Sequence, residues 1–232
     1  MRAYLIILLI LLTGTGAATV IEVGPAGTNY TSIGSAVGAA HPGDTIEVSS
    51  GTYFENVYVD KNVTLKGMDT GKGLPVIDAG GYGSVVTLEA DGITLEGFNL
   101  THSGHCGCGN AGVHVSSNNN SVIDNIIRNN KYGIYATQSR GNLFLLNDLI
   151  DNNITTYDDG KNSWDGNDQV NGLQSILESL SGKKIKGNYY SDYSGPKNGC
   201  NDTNADGFCD LSRDINGGSN VDSHPLAAPV HS

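Results

Sequence analysis

Asn125 and Asn147 stand 22 positions apart, as do Asn130 and Asn152, and the residues around them repeat with them. Gly112-Val113-His114-Val115, followed by Val122-Ile123-Asp124-Asn125-Ile126-Ile127, returns as Gly133-Ile134-Tyr135-Ala136 followed by Leu145-Leu146-Asn147-Asp148-Leu149-Ile150. Upstream, Val63-Thr64-Leu65-Lys66-Gly67 is echoed by Ile93-Thr94-Leu95-Glu96-Gly97. Self-similarity at a fixed period is the mark of a solenoid, in which each repeat buries its apolar face only against its neighbours.

The period selects the kind of solenoid. Helical repeats need about 33–47 residues, because two helices must fit. Twenty-two residues, β-branched and interrupted by Gly and Asn, suit three short strands joined by tight corners. Successive coils would then stack at about 4.8 Å with alternate side chains pointing inward. Asn at one corner of successive coils can stack its amides into a hydrogen-bonded ladder. Asn125 over Asn147 and Asn130 over Asn152 are the expected ladders. The pattern predicts an all-β parallel β-helix.

Met1–Ala18 reads as a secretory signal, with Arg2 as the positive start, Tyr4–Leu12 as the apolar run and Gly16-Ala17-Ala18 as the cleavage site. The run is shorter than the roughly 20 residues of a membrane span, so cleavage is expected over retention as an anchor. No other segment is apolar for long enough to cross a bilayer. The net charge of −11 argues against nucleic acid and anionic lipid as partners and suits cations. Four Cys in an exported chain permit disulfides. Asn-x-Ser/Thr sequons at Asn29, Asn62, Asn99, Asn119, Asn153 and Asn201 fit a surface glycoprotein or chance in an Asn- and Thr-rich chain.

The chain divides into the signal (1–18), the β-helix (19–166), an inserted amphipathic helix (167–182) and a C-terminal tail (183–232). Thr19–Val23 is expected as the first strand. Ile33, Ala36, Val37 and Ala40 have helical spacing, and a short helix there would cover the open end of the solenoid. Leu100–Ala111 is a Gly-, Cys- and His-rich excursion from the coils. In the insert, Val170, Leu173, Ile176, Leu177 and Leu180 form one apolar face, expected to pack on the solenoid flank.

Gly43–Val57 resembles the first coil of pectin-lyase-like β-helix proteins. Gly187-Asn188-Tyr189-Tyr190-Ser191-Asp192-Tyr193, then Asp206-Gly207-Phe208-Cys209-Asp210, then Asp222-Ser223-His224-Pro225-Leu226, resembles the C-terminal pattern of NosD-type proteins, and Asn162-Ser163-Trp164-Asp165 matches the approach to it. The resemblance covers nearly all of 19–226. It implies a right-handed coil, export and either copper binding or carbohydrate binding and hydrolysis. The chain departs from the family's pattern at the insert, at Cys209 where Gly is usual, and at the Cys106/Cys108 excursion.

Several groups carry chemistry. Asp202, Asn204, Asp206 and Asp210, with Gly207 at the bend and the Phe208 carbonyl, have the alternating oxygen spacing of a calcium loop; the other reading is an acidic turn without metal. Arg213 stands where an EF-hand has its bidentate Glu, leaving Asp214 or Asp192 to complete the shell. Cys200 and Cys209 bracket this loop and are expected as a disulfide. His102, His105, Cys106 and Cys108 form a second group, with His114 read as structural. Imidazole with thiolate suits copper or zinc; alternatively, Cys106 and Cys108 are oxidised, to each other or between chains.

Gly51-x-Tyr53-x-Glu55 is similar to a pectinesterase motif, but the segments carrying that family's acid and nucleophile have no match. Arg128, Lys131 and Arg140 lack the acidic cluster a lyase would place beside its base. Asp124, Asp148 and Asp151 occupy repeat positions expected to face water. The reading is a secreted or cell-envelope protein, leaning away from catalysis, that presents a solenoid face to a glycan or an envelope protein. Tyr132, Tyr157, Tyr189, Tyr190 and Trp164 are candidates for stacking on sugars, and Tyr135 for core or corner. The alternatives are a copper accessory protein and a polysaccharide lyase or hydrolase.

Overall fold

The computed structural model describes residues 17–106, 108–166 and 186–231. The expected signal up to residue 16 and the helix expected over 167–182 lie outside these residues. The chain winds as a right-handed parallel β-solenoid of about six turns. Strand β1 (Val20–Val23) and helix α1 (Ile33–Ala39) precede the coils. Coil 1 holds β2 (Thr45–Ser49), β3 (Thr52–Phe54) and β4 (Val57–Val59). Coil 2 holds β5 (Thr64–Met68), β6 (Val76–Asp78) and β7 (Val86–Leu88), and coil 3 β8 (Thr94–Glu96), β9 (Asn99–Thr101) and β10 (Ala111–Val115). Coil 4 holds β11 (Ser121–Ile123), β12 (Ile126–Arg128) and β13 (Tyr132–Ala136), and coil 5 β14 (Arg140–Leu145), β15 (Asp148–Ile150) and β16 (Ile154–Asp158). β17 (Lys161–Ser163) and β18 (Tyr189–Tyr190) continue two of the three sheets.

Register turns the repeat into columns. Ile46, Leu65, Leu95, Val122 and Phe144 stack in the first sheet. Tyr53, Ile77, Leu100, Ile127, Leu149 and Tyr190 stack in the second. Val59, Leu88, Val115 and Ala136 stack in the third. All of them are buried, so every coil closes the core of the one before it.

The expected ladders are present, and the first continues further than the repeat indicated. Asn125 N–H and Nδ2 donate to Asn147 Oδ1, and Asn147 N–H and Nδ2 donate to Asn188 Oδ1. Asn130 N–H donates to Asn152 Oδ1. A third ladder, Asn120–Asn142–Asn162, fills the remaining corner. These amides satisfy corner N–H groups that tight, buried turns would otherwise strand.

Helix α1 covers the N-terminal end, with Ile33, Ala36 and Val37 buried. Coil 1 grips it from both sides. The Glu55 carboxylate accepts from Ser32 Oγ and from the Ile33 and Gly34 N–H groups, while Lys61 Nζ donates to the Val37 and Gly38 carbonyls. Each charge therefore meets the helix end of opposite polarity.

The tail closes the other end. Strands β19 (Arg213–Asp214) and β20 (Val221–Asp222) form an antiparallel pair, and Cys200 is bonded to Cys209. Buried Asp222 accepts from Asn188 N–H, Tyr190 OH and His224 N–H. Asp148 does not face water as its repeat position indicated. It is fully buried and accepts from Val230 N–H, His231 N–H and His231 Nδ1 at 2.9 Å. The tail returns across β15 there, a contact 83 residues long in sequence that no repeat discloses.

Both fastenings depend on pH in the same sense. Burial pushes the Asp222 carboxyl up from 3.8 to about 7, and the hydrogen bond to Asp148 raises His231 above the ordinary histidine value of 6.5. The folded chain then holds the Asp222 proton more tightly than the unfolded chain does. The stabilisation from that carboxyl is complete below 3.8 and declines as pH rises to about 7. His231 stabilisation is complete below 6.5 and is lost as pH rises through its raised value. The melting temperature of the parent is expected to fall between pH 5 and pH 8, more steeply than that of Asp222→Asn. Calorimetry giving parallel slopes would reject the assignment.

Candidate functional site

Corners are where this solenoid can vary without disturbing its core. Between the second and third sheets most corners are short, but those at 79–85 and 102–110 bulge outward, one above the other. Gly81 N–H donates to the His102 carbonyl and Gly104 N–H to the Gly83 carbonyl, so the two loops are tied together. Phe54, Asp78, Gly80, Gly81, His102, Ser103 and His105 line a groove of about 410 Å³ beside them. His102, at φ +58, places Nδ1 2.9 Å from Asp78 Oδ2. Cys106 and Cys108 are bonded to each other, the oxidised alternative of the sequence reading. Among the described residues no three His, Cys, Asp or Glu side chains converge as metal ligands.

In the 202–210 loop, Asp202 accepts from the Asp206 and Gly207 N–H groups, Asn204 from Asp206 N–H, and Asp206 from Phe208 N–H. Asp210 turns to Thr203 instead, and Phe208 pairs with Leu226. Asp192 is engaged elsewhere, with Arg213 at 2.9 Å and Thr155 Oγ1 at 2.6 Å.

The aromatic candidates separate by burial. Trp164 is in the core, packed on Phe144 with Nε1 donating to Asp158, and Tyr190 is buried under the Arg213 guanidinium, so neither reaches a ligand. Tyr135 is neither core nor corner. It stands on the outer face of the third sheet, in register with His114 and Tyr157. Its ring stacks on Tyr157 at 4.8 Å and meets His114 edge-on. Rings stacked along the axis offer solvent their edges, which suits a sugar face poorly.

A groove of about 610 Å³ runs along the corner between the third and first sheets. Asn118, Gln138, Ser139, Arg140, Asp159, Gly160, Lys161, Gly218 and Ser219 line it. Arg140 and Lys161 are register partners on β14 and β17, which sets two cations one coil apart, about 4.8 Å along the axis. Both side chains are exposed. Lys61, Lys66, Arg128 and Arg213 instead rest on partners of their own. Asp159 is turned into the loop, accepting from Thr137 Oγ1 and Gln138 N–H. Arg140 is among the coil cations recognised from sequence; Lys161 is not. Their separation of 21, the spacing of Gly112 and Gly133, was the available signal.

A family model described as "Periplasmic copper-binding protein (NosD)" matches residues 76–195. No curated protein matches the chain.

Proposed function

This chain belongs to the NosD family, and from that premise we propose that it is a non-catalytic cell-envelope protein that holds an acidic oligosaccharide along the groove of Arg140 and Lys161. The observation that carries this reading is the pair of exposed cations stacked in register on a chain of net charge −11. A carboxylated sugar chain lying along the axis would meet one cation per coil. Asn118, Gln138, Ser139 and Ser219 supply amides and hydroxyls for its ring oxygens. No helix among the described residues is long and apolar enough to cross a membrane.

Titration calorimetry with oligogalacturonate, against a neutral cello-oligosaccharide, tests the proposal. Hydrogen bonds to charged groups contribute about 1.5–3 kcal/mol, so Arg140→Ala and Lys161→Ala should each weaken binding about tenfold. Raising the salt should weaken it too. Equal affinity in the double variant would reject the groove, and new reducing ends or unsaturated products would move the protein to the enzymes.

The copper in the family's description does not fit the residues as arranged. The Cys106 and Cys108 sulfurs are joined and offer no thiolate, and His102 Nδ1 faces Asp78. We further propose a structural calcium ion held by Asp202, Asn204, Asp206, Asp210 and the Phe208 carbonyl, inside the ring closed by Cys200–Cys209. Its support is the alternating oxygen spacing and the turn of three of those side chains into one bend. Added Ca²⁺ should raise the melting temperature by several degrees, and Asp206→Ala should abolish the rise; an identical melt in EGTA would remove the ion from the account.

A further inference from the structure

The two disulfides differ in what they do for the fold. Cys200–Cys209 is buried and closes a loop over nine positions. Cys106–Cys108 is exposed and spans two. Stabilisation by a crosslink grows with the loop it closes, so the second bridge contributes less than the first. The loop that carries it is anchored without it. Ser103 N–H donates to Asn130 Oδ1, Lys131 N–H to Ser103 Oγ, and Gly104 N–H to the Gly83 carbonyl. A bridge that the fold does not need, set at the tip of an outward corner, calls for a chemical explanation.

One contact supplies it. Asn110 Nδ2 lies 3.0 Å from Cys106 Sγ and donates to it, whereas no such donor meets Cys108 among the described residues. An amide N–H on one sulfur of a disulfide favours that sulfur as the leaving thiolate. We propose that Cys106–Cys108 is a thiol–disulfide exchange centre that oxidises a dithiol on a partner protein or peptide, with Asn110 positioning Cys106 as the leaving group.

The steps balance. A thiolate of the partner attacks Cys108 Sγ, the Cys106–Cys108 bond breaks, and its electron pair stays on Cys106, which Asn110 stabilises. The partner's second thiol, after losing its proton, attacks the partner sulfur of the mixed disulfide and releases Cys108 as thiolate. The two thiolates on this chain take up the two protons given by the partner. The partner gains a disulfide, and this chain is reduced by two electrons. The groove of Phe54, Asp78, Gly81 and His105 adjoins the centre and gives an extended peptide room to lie.

The test uses the oxidised full chain and a fluorescent peptide carrying two reduced cysteines. One equivalent of peptide disulfide should form per chain. Alkylation and mass mapping should find the new thiols at Cys106 and Cys108, with Cys200–Cys209 still oxidised. Cys106→Ser/Cys108→Ser should lose the reaction while melting within about 6 °C of the parent. Asn110→Ala should slow the reaction about fivefold or more with no change in the number of thiols. Reduction of Cys200–Cys209 first, or an undiminished rate in the double serine variant, would overturn the centre. An unchanged rate in Asn110→Ala would overturn the leaving-group assignment.

Discussion

Asn147→Ala is expected to lower the melting temperature by roughly 10 °C, although it removes no apolar contact. Asn147 has no exposed surface, and its amide serves three neighbours at once. Oδ1 accepts from Asn125 N–H and Nδ2, while Nδ2 donates to the Val122 carbonyl and to Asn188 Oδ1. Truncation strands these groups without water. Each stranded group costs about 1–3 kcal/mol, and sharing within the ladder brings the total to roughly 3–5 kcal/mol. A chain of this size loses about 2–4 °C per kcal/mol. Asn147→Asp sharpens the test. Protonated, the side chain keeps one donor; ionised, it is a buried charge facing Asn188 Oδ1. Its deficit should therefore be larger at pH 7 than at pH 4. Asn29, exposed ahead of the coils, is the control, and Asn29→Ala should stay within about 0.5 kcal/mol. Thermal unfolding of Asn147→Ala within 2 °C of the parent would show that the ladder is decoration.

The second large effect is expected at the glycine that ends the earliest echo in the sequence. Gly67 and Gly97 close equivalent segments of coils 2 and 3, and their backbones lie against each other. A Cβ on Gly67 would overlap the Gly97 carbonyl. The obstacle is backbone and cannot swing aside, so Gly67→Ala must push apart neighbouring coils that share a core. Overpacking of this kind costs about 1–3 kcal/mol, and the upper end applies here. A melting temperature lower by about 6–12 °C should follow. Gly38→Ala runs the other way. It sits in α1, where an added Cβ meets nothing within 4 Å, so it should stabilise by about 0.5–1 kcal/mol through the loss of backbone freedom in the unfolded chain. Chemical denaturation of the two variants side by side decides it: a Gly67→Ala midpoint equal to or above that of the parent would mean that the coils are not in contact there.

The two ladders anticipated from Asn125/Asn147 and Asn130/Asn152 were legible because their members keep one period. The ladder of Asn120, Asn142 and Asn162 was not, since its second step is 20 residues and slips out of the repeat. Lys161 is hard to pick out beside Arg140 for a related reason: the two keep a 21-residue spacing, but the register shifts beyond them along β14, so the flanking residues do not repeat in step. Trp164 and Tyr190 looked like ligand-facing aromatics because composition cannot tell an outer face from the floor of the last coil. The structure buries both, one on Phe144 and the other beneath Arg213.

The sequence alone determined the solenoid, its capping helix and two of its three columns of corner amides, because a repeat that cannot bury its own apolar face has no stable form except in a stack. The tertiary structure alone decided what lies at the ends and on the surface: Glu55 and Lys61 clamping α1, Asp148 and Asp222 holding the returning tail, Asn110 against Cys106, and the cation pair in its groove. Those contacts join residues from 4 to 83 positions apart with no common period. A periodic pattern records what each coil owes its neighbours, and it holds no information about contacts made only once.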